Sequence, residues 1–227
     1  MTSGAWIRRV DDDCGVSEKP IARSVKISAD ERTGWSSERP RADGAPPRPV
    51  DVSGRCRVLA PASRLRYSPG SLLIIIGPEA SEPARFAERV IEERSALLSF
   101  ARVRALIEGR VSPEEIDERA SDLLTTAVVK RLQSGQSVVL PLDGFDAAER
   151  EHYIRLAHPL RRPRHVILLE APRDQVTDEE RPVLDELRRA LDAGELGGEG
   201  FQTSLRLGGA ALTELNRIVF QPAPRED

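Results

Sequence analysis

The sequence predicts a three-layer α/β fold with a mainly parallel sheet, preceded by an N-terminal arm. Three observations carry that prediction. Ser71–Gly77, Ala96–Phe100, Ser137–Leu142 and Val166–Glu170 are short, nearly continuous apolar runs, the pattern of strands buried on both faces. Segments with helical periodicity and capping residues separate them, so successive strands connect through crossovers. Residues 1–70 show neither pattern.

The elements follow in chain order. SLLIIIG, ending in Gly77-Pro78, reads as the first buried strand. A helix is expected from Ser81 to about Arg94, with Glu82 and Pro83 in its first turn and Ala84, Ala87, Val90 and Ile91 as its apolar stripe. ALLSF over 96–100 reads as the second strand, and 102–108 as a short helix closed by Gly109. Ser112-Pro113-Glu114-Glu115 has the spacing of a capping box with Pro at the first helical position. The helix behind it carries Ile116, Ala120, Leu123, Leu124, Ala127, Val128 and Leu132, and Gly135 ends it. SVVLPL is the third strand. Asp146 and Glu149 open a helix, VILLE is the fourth strand, and Thr177 with Glu180 opens a helix to about Asp192. SLRL and RIVFQ supply one or two last strands.

The chain divides into an arm over 1–68, a domain over 69–222 and a tail over 223–227. Residues 1–70 hold 13 basic and 9 acidic side chains (+4), and residues 71–227 hold 21 and 28 (−7), which sum to the net charge of −3. The first segment has scattered prolines and cannot bury enough apolar surface to offset chain entropy, so it reads as an arm of low order. Trp6 and Trp35 stand out there as candidate anchors into a protein partner. Aromatics make up 4% of the chain, too few for base-stacking platforms. With its acidic body, this argues against nucleic acid as a partner. The longest aliphatic run, Leu72–Ile76, is far below the ~20 residues that span a bilayer. The first residues lack a cationic start followed by an apolar stretch, so the expected location is cytoplasmic. Cys14 and Cys56 can build neither a disulfide framework nor a cysteine zinc site.

Ligands in such folds bind beyond the C-terminal ends of the strands, which directs attention to Gly77-Pro78-Glu79-Ala80-Ser81-Glu82-Pro83-Ala84-Arg85. Strand, Gly-Pro, then helix has the frame of a phosphate-binding loop, G-x-x-x-x-G-K-[ST]. Gly77 falls on the first glycine, Glu82 on the second, Pro83 on the lysine and Ala84 on the metal-ligating hydroxyl. Glu82 puts a carboxylate where phosphate would lie. Pro83 offers neither ammonium nor N–H, and Ala84 cannot hold Mg²⁺. Of 34 basic side chains only Lys19, Lys26 and Lys130 are lysines, so none lies near the loop in sequence. Arg85 is the nearest cation, a planar fork rather than a point charge.

Over about Pro69–Phe201 the order of motifs resembles the P-loop kinase-like family that includes bacterial polynucleotide kinases and zeta-toxin-like ATP-binding proteins. Ser99-Phe100-Ala101-Arg102-Val103-Arg104 is similar to that family's S-x-D-x-x-R, with Ala101 in place of the acceptor-activating aspartate. Arg131 to Gly144 is similar to its long-helix end and third strand, with Pro141 at the acidic position. Glu149-Arg150 to Leu156-Ala157 and Glu199-Gly200-Phe201 match further pieces. The lid keeps Arg181-Pro182-Val183 but is crowded by Asp174, Asp178, Glu179 and Glu180. The resemblance implies a P-loop NTPase-like fold. Phosphoryl transfer depends on positioning and on charge stabilisation by lysine, metal and arginines, and here lysine, hydroxyl and aspartate are replaced together.

Three function classes follow. The first is a non-catalytic kinase-like domain serving as an interaction or regulatory module, with a vestigial phosphate loop at Gly77, Pro78, Ser81, Glu82, Pro83 and Ala84. It has no cofactor, and a protein partner engages residues 1–68. The second is an atypical ATP- or GTP-dependent phosphotransferase with Mg²⁺, relying on Arg85, Arg104, Asp143 and Arg181. The third is a nucleic-acid-associated protein using the arginine-rich arm. No residue is assigned to catalysis. No metal site is expected, since His152, His158 and His165 lack the spacing of an H-E-x-x-H helix.

Overall fold

The structure, a computed structural model, describes residues 51–222. In chain order it contains β1 (Arg57–Leu59), β2 (Arg64–Tyr67), β3 (Leu72–Ile76), α1 (Pro83–Val90), α2 (Phe100–Ile107), α3 (Ile116–Gln133), β4 (Val138–Pro141), α4 (Ala147–Ala157), β5 (Arg164–Leu169), α5 (Glu180–Asp192), β6 (Thr203–Leu207), α6 (Ala210–Glu214) and β7 (Arg217–Phe220). Five strands form one sheet in the order β1-β6-β5-β3-β4, and every pairing between them is parallel. β2 and β7 pair in parallel as a separate ribbon. No helix among the described residues is long and apolar enough to cross a membrane.

β3 is central, and all five of its side chains are buried, which is why its sequence is a continuous aliphatic run. Its alternation divides the core in two. Leu72, Ile74 and Ile76 pack with Leu124, Val128 and Leu132 of α3, Ile154 of α4 and Leu184, Leu187 and Leu191 of α5. Leu73 and Ile75 pack with Phe86, Ala87 and Val90 of α1 and with Leu65, Tyr67 and Ile218 of the ribbon. The architecture is thus the expected α/β layering, with one outer layer made of three helices and the other of α1 plus the β2–β7 ribbon. Pro141 is tolerated in β4 because Val138 and Leu142 donate their N–H groups inward, to Ser71 O and Ile75 O (both 2.9 Å), while residue 141 faces the outer edge.

Several expectations are corrected. Residues 96–100 do not form a strand. Only Leu97 bridges to Val139, and Leu98 N–H donates to Val139 O at 3.0 Å. Ser99 then caps α2 by accepting the Arg102 N–H, which turns the chain into a helix. The first helix is eight residues, not fourteen: Pro83 opens it, and Ile91 leaves it to bridge Ile218. Ser112 and Glu115 meet as hydroxyl to carboxylate at 3.0 Å in a turn ahead of α3, not as a reciprocal box. Thr177 and Glu180 do form one: Thr177 Oγ1 accepts the Glu180 N–H (3.2 Å) and Glu180 Oε2 accepts the Thr177 N–H (3.1 Å).

The largest correction concerns the arm. Residues 57–59 and 64–67 fall inside the stretch read as low order, yet they form β1 and β2. Leu65 and Tyr67 alternate inward while Arg64 and Arg66 face solvent. A strand of four residues gives too short an alternation to stand out among prolines. Ahead of β1, Gly54 N–H donates to Gly197 O at 2.8 Å, and a Cβ on Gly197 would lie 2.1 Å from Gly54 O. This close approach straps residues 51–56 onto the turn before β6. Arg55, Arg57, Arg64 and Arg66 therefore belong to the folded region. Residues 1–50 retain 9 basic and 8 acidic side chains, a net of only +1. Trp6 and Trp35 lie outside the described residues.

Candidate functional site

β3 and β4 end side by side, and their C-terminal loops bound a cleft of about 680 Å³. Glu79, Glu82, Pro83, Ala84 and Arg85 line it from the loop and first turn after β3, Asp143 and Gly144 from the end of β4, and Glu180 from the start of α5. The cleft lies where the sequence places the candidate site, and it joins the loop after β3 to Asp143.

The loop is closed on itself. Ser81 N–H donates to Pro78 O (2.8 Å) and Glu82 N–H to Glu79 O (3.0 Å), forming a 3-10 turn over Glu79–Ser81. The Ser81 hydroxyl also donates to Pro78 O, at 2.7 Å. A Cβ on Gly77 would stand 2.3 Å from Ser81 Oγ and 2.9 Å from Leu169 Cβ. Glycine is therefore required at 77 to admit the folded loop, and Ser81 fills the space above it. Glu79 N–H donates to Glu180 Oε1 at 3.0 Å. The N–H groups of Glu79, Ser81 and Glu82 are thus used internally, and Pro78 and Pro83 have none.

Glu82 sits at φ 48°, ψ 64°, in the left-handed region. This is the position aligned with the second glycine of the phosphate-loop motif. The backbone keeps a glycine-like conformation while the side chain is a carboxylate, a strained combination for a non-glycine residue. That carboxylate pairs with Arg85 at 3.1 Å on the exposed start of α1.

The cleft is acidic. Four carboxylates (Glu79, Glu82, Asp143, Glu180) face one guanidinium, itself paired to Glu82. The hydrogen bond from Glu79 N–H holds the Glu180 carboxyl below the usual carboxylate range, and the Thr177 N–H and hydroxyl add to it. In the first turn of α4, burial raises the Glu149 carboxyl, and the neighbouring Asp146 and Asp143 raise it further. Among the described residues no group of three or more His, Cys, Asp or Glu is arranged to hold a metal ion.

A nucleoside triphosphate with Mg²⁺ is the group that the resemblance implies, and the donor set does not fit it. A polyphosphate would meet four carboxylates, a loop in which the Glu79, Ser81 and Glu82 N–H groups are already taken, a proline at the lysine position and an alanine at the metal-ligand position. Of the remaining residues named for an active site, Arg104 lies away from the cleft, donating to Asp117 of α3 at 2.7 Å. Arg181 pairs with Asp178 and lines a different cavity. Arg85 and Asp143 are brought together, and Arg104 and Arg181 are not. Sequence reading missed Glu79 and Glu180 as cleft residues. The Thr177-x-x-Glu180 spacing marks a helix cap, but nothing in it signals that the second carboxylate oxygen reaches a loop 101 residues earlier.

No protein-family model matches the chain, and no curated protein matches it. Among solved structures it is similar to a protein from Chloroflexus aurantiacus J-10-fl described as a "putative kinase", at 17% identity over 63% of this chain and 86% of that one, with a TM-score of 0.36. It is also similar to the tunicamycin resistance protein of Deinococcus radiodurans, at 16% identity over 63% of this chain and 91% of that one, with a TM-score of 0.34. The α/β fold itself rests on the parallel register and helical layers described above.

Proposed function

We propose that this domain is a non-catalytic, kinase-like module that works through protein interaction or regulation and binds no nucleotide. One observation carries the reading: the cleft at the strand ends presents four carboxylates against a single, already paired arginine. Phosphoryl transfer needs the opposite field, cations converging on the transferred group. The folded loop supports the same reading, because the N–H groups of Glu79, Ser81 and Glu82 are engaged and Pro78 and Pro83 have none to offer an anion. In this proposal the N-terminal region supplies the partner contact, with Trp6 and Trp35 as anchors. Its near-neutral balance over residues 1–50 favours apolar anchoring over charge attraction.

Thermal-shift titration of the full chain with ATP and GTP, each with Mg²⁺, tests the nucleotide half. No saturable rise in melting temperature is expected, and a clear saturable rise would return the phosphotransferase reading. The triple variant Glu82→Gly, Pro83→Lys, Ala84→Ser reverses the loop substitutions and is expected to gain a measurable nucleotide response. The partner half is tested by copurification with Trp6→Ala and Trp35→Ala in the full chain, where an unchanged partner set would refute the anchoring role. A deletion test should stop at residue 50, since removal to 68 would take β1 and β2 with it.

A further inference from the structure

The β2–β7 ribbon has one open side. β7 has a second neighbour, since Glu92 N–H donates to Ile218 O at 3.3 Å. β2 has none. Its inner side chains, Leu65 and Tyr67, are locked into the core with Ile218, and its outer ones, Arg64 and Arg66, are exposed. Ser63 O accepts the Asn216 N–H at 2.8 Å at one end of the ribbon, and Tyr67 O accepts the Gln221 N–H at 2.9 Å at the other. Both carbonyls therefore point to β7. The two-residue repeat of a strand puts Leu65 with them and turns the N–H and C=O groups of Arg64 and Arg66 the other way. Among the described residues no strand, turn or side chain bonds to those groups.

The side chains along this edge select what could pair with it. Arg64 and Arg217 are in register, which sets two like charges side by side. Arg64 has only the neutral Gln221 Oε1, at 3.3 Å, and Arg217 only a 3.7 Å contact with Glu92. Arg66 has no ion-pair or hydrogen-bond partner among the described residues. A second copy pairing β2 with β2 would set arginine against arginine, which disfavours it. A strand with carboxylates on the outer face relieves the repulsion. Its alternate residues would follow Leu65 and Tyr67 toward the core and are best apolar. The buried inner face already holds the edge in strand geometry, so little of β2 has to be ordered on binding.

We propose that the open edge of β2 receives an extended segment of a protein partner by strand addition, with acidic side chains at alternate positions beside Arg64 and Arg66 and apolar ones between them. This surface goes beyond the reading above: it belongs to neither the acidic cleft nor residues 1–50, and it stands whether or not a nucleotide binds.

The probe is a synthetic hexapeptide alternating Glu and Val, compared with a Lys–Val hexapeptide, each titrated into the full chain at low salt and followed by backbone amide NMR. Saturable shifts at Arg64 and Arg66 are expected with the Glu peptide, together with a slowing of solvent exchange at these two amides by roughly tenfold or more. Slowed exchange reports the ladder bond itself, which charge attraction alone does not form. Arg66→Glu has no partner to lose and is expected to keep the melting temperature, to weaken the Glu peptide roughly tenfold and to favour the Lys peptide. Four results would each overturn the proposal: no saturable binding of the Glu peptide, binding without slowed exchange at Arg64 and Arg66, equal binding of the two peptides to the unmodified chain, or amides already protected in the free chain. The last would mean that the edge is held by the first 50 residues or by a second copy, which the concentration dependence of the protection separates.

Discussion

Replacing Glu82 by glycine and by alanine separates backbone strain from side-chain chemistry. Both substitutions remove the carboxylate and its exposed pair with Arg85, so those contributions cancel in the comparison. What differs is the backbone at φ 48°, ψ 64°. Holding a residue with a Cβ in the left-handed region costs about 1–2 kcal/mol, and glycine escapes that cost. Against this, glycine has more freedom to lose from the unfolded chain, about 0.4–1 kcal/mol. The difference leaves Glu82→Gly more stable than Glu82→Ala by ~1 kcal/mol, or roughly 2–4 °C for a chain of this size. At an ordinary helical position the order is reversed, with alanine ahead by about 1 kcal/mol. Urea denaturation of the two variants, read at the transition midpoint with equal slopes, measures it. If alanine proves equal to glycine or better, residue 82 is not strained, and the case for a glycine-type backbone at this position fails.

Three other outcomes are expected. Gly77→Ala should lose about 1–3 kcal/mol through overpacking against Ser81 Oγ and Leu169 Cβ; adding Ser81→Ala should recover part of it, and a lack of recovery would place the clash elsewhere. Glu199→Ala should cost about 3–5 kcal/mol, because Arg150 is buried and donates to both Glu199 oxygens (2.9 and 2.8 Å), so the loss leaves an uncompensated charge; a cost under ~1 kcal/mol by urea denaturation would contradict this. His165 is buried against Tyr67, with Nδ1 2.8 Å from Thr203 Oγ1 and Nε2 3.3 Å from Ser71 Oγ. Burial, with Arg164 beside it, lowers its pKa to about 4. The unfolded chain takes up this proton near pH 6.5 and the folded one only near 4, so the histidine's contribution is complete above pH 6.5 and lost as pH falls toward 4. The loss reaches ~3 kcal/mol, and His165→Gln should flatten that part of the stability profile.

The fold was legible where burial is two-sided and long. β3, β4 and β5 show it directly, because a strand covered on both faces leaves an unbroken aliphatic run. The same rule misread ALLSF. Its residues are buried or half-buried, but Ser99 caps a helix there, and apolar content alone cannot separate a single bridge from a strand. β1 and β2 escaped notice because they are short and their partners lie some 150 residues later. At the site, the departures of the loop from the G-x-x-x-x-G-K-[ST] motif could be read from spacing. The closure of that loop could not, since it depends on Ser81 folding back over Gly77 and on Glu180 arriving from α5.

The strap ahead of the domain has a mechanical consequence. Among the described residues β1 pairs only with β6, through the three residues Arg57–Leu59, with Val58 largely exposed and Leu59 half-buried. Tension on the chain from the N-terminal side therefore reaches the five-stranded sheet through its least embedded member. Peeling it away would break a few hydrogen bonds, each worth about 1 kcal/mol, and would lift Val52 and Cys56 off one core and Leu59 off the other, while the β3–β5 pairing at the centre of the sheet is not touched. It would also uncover the β6 edge, where another strand could add. Force on the chain ahead of β1 can thus change the sheet's outer boundary without unfolding its centre.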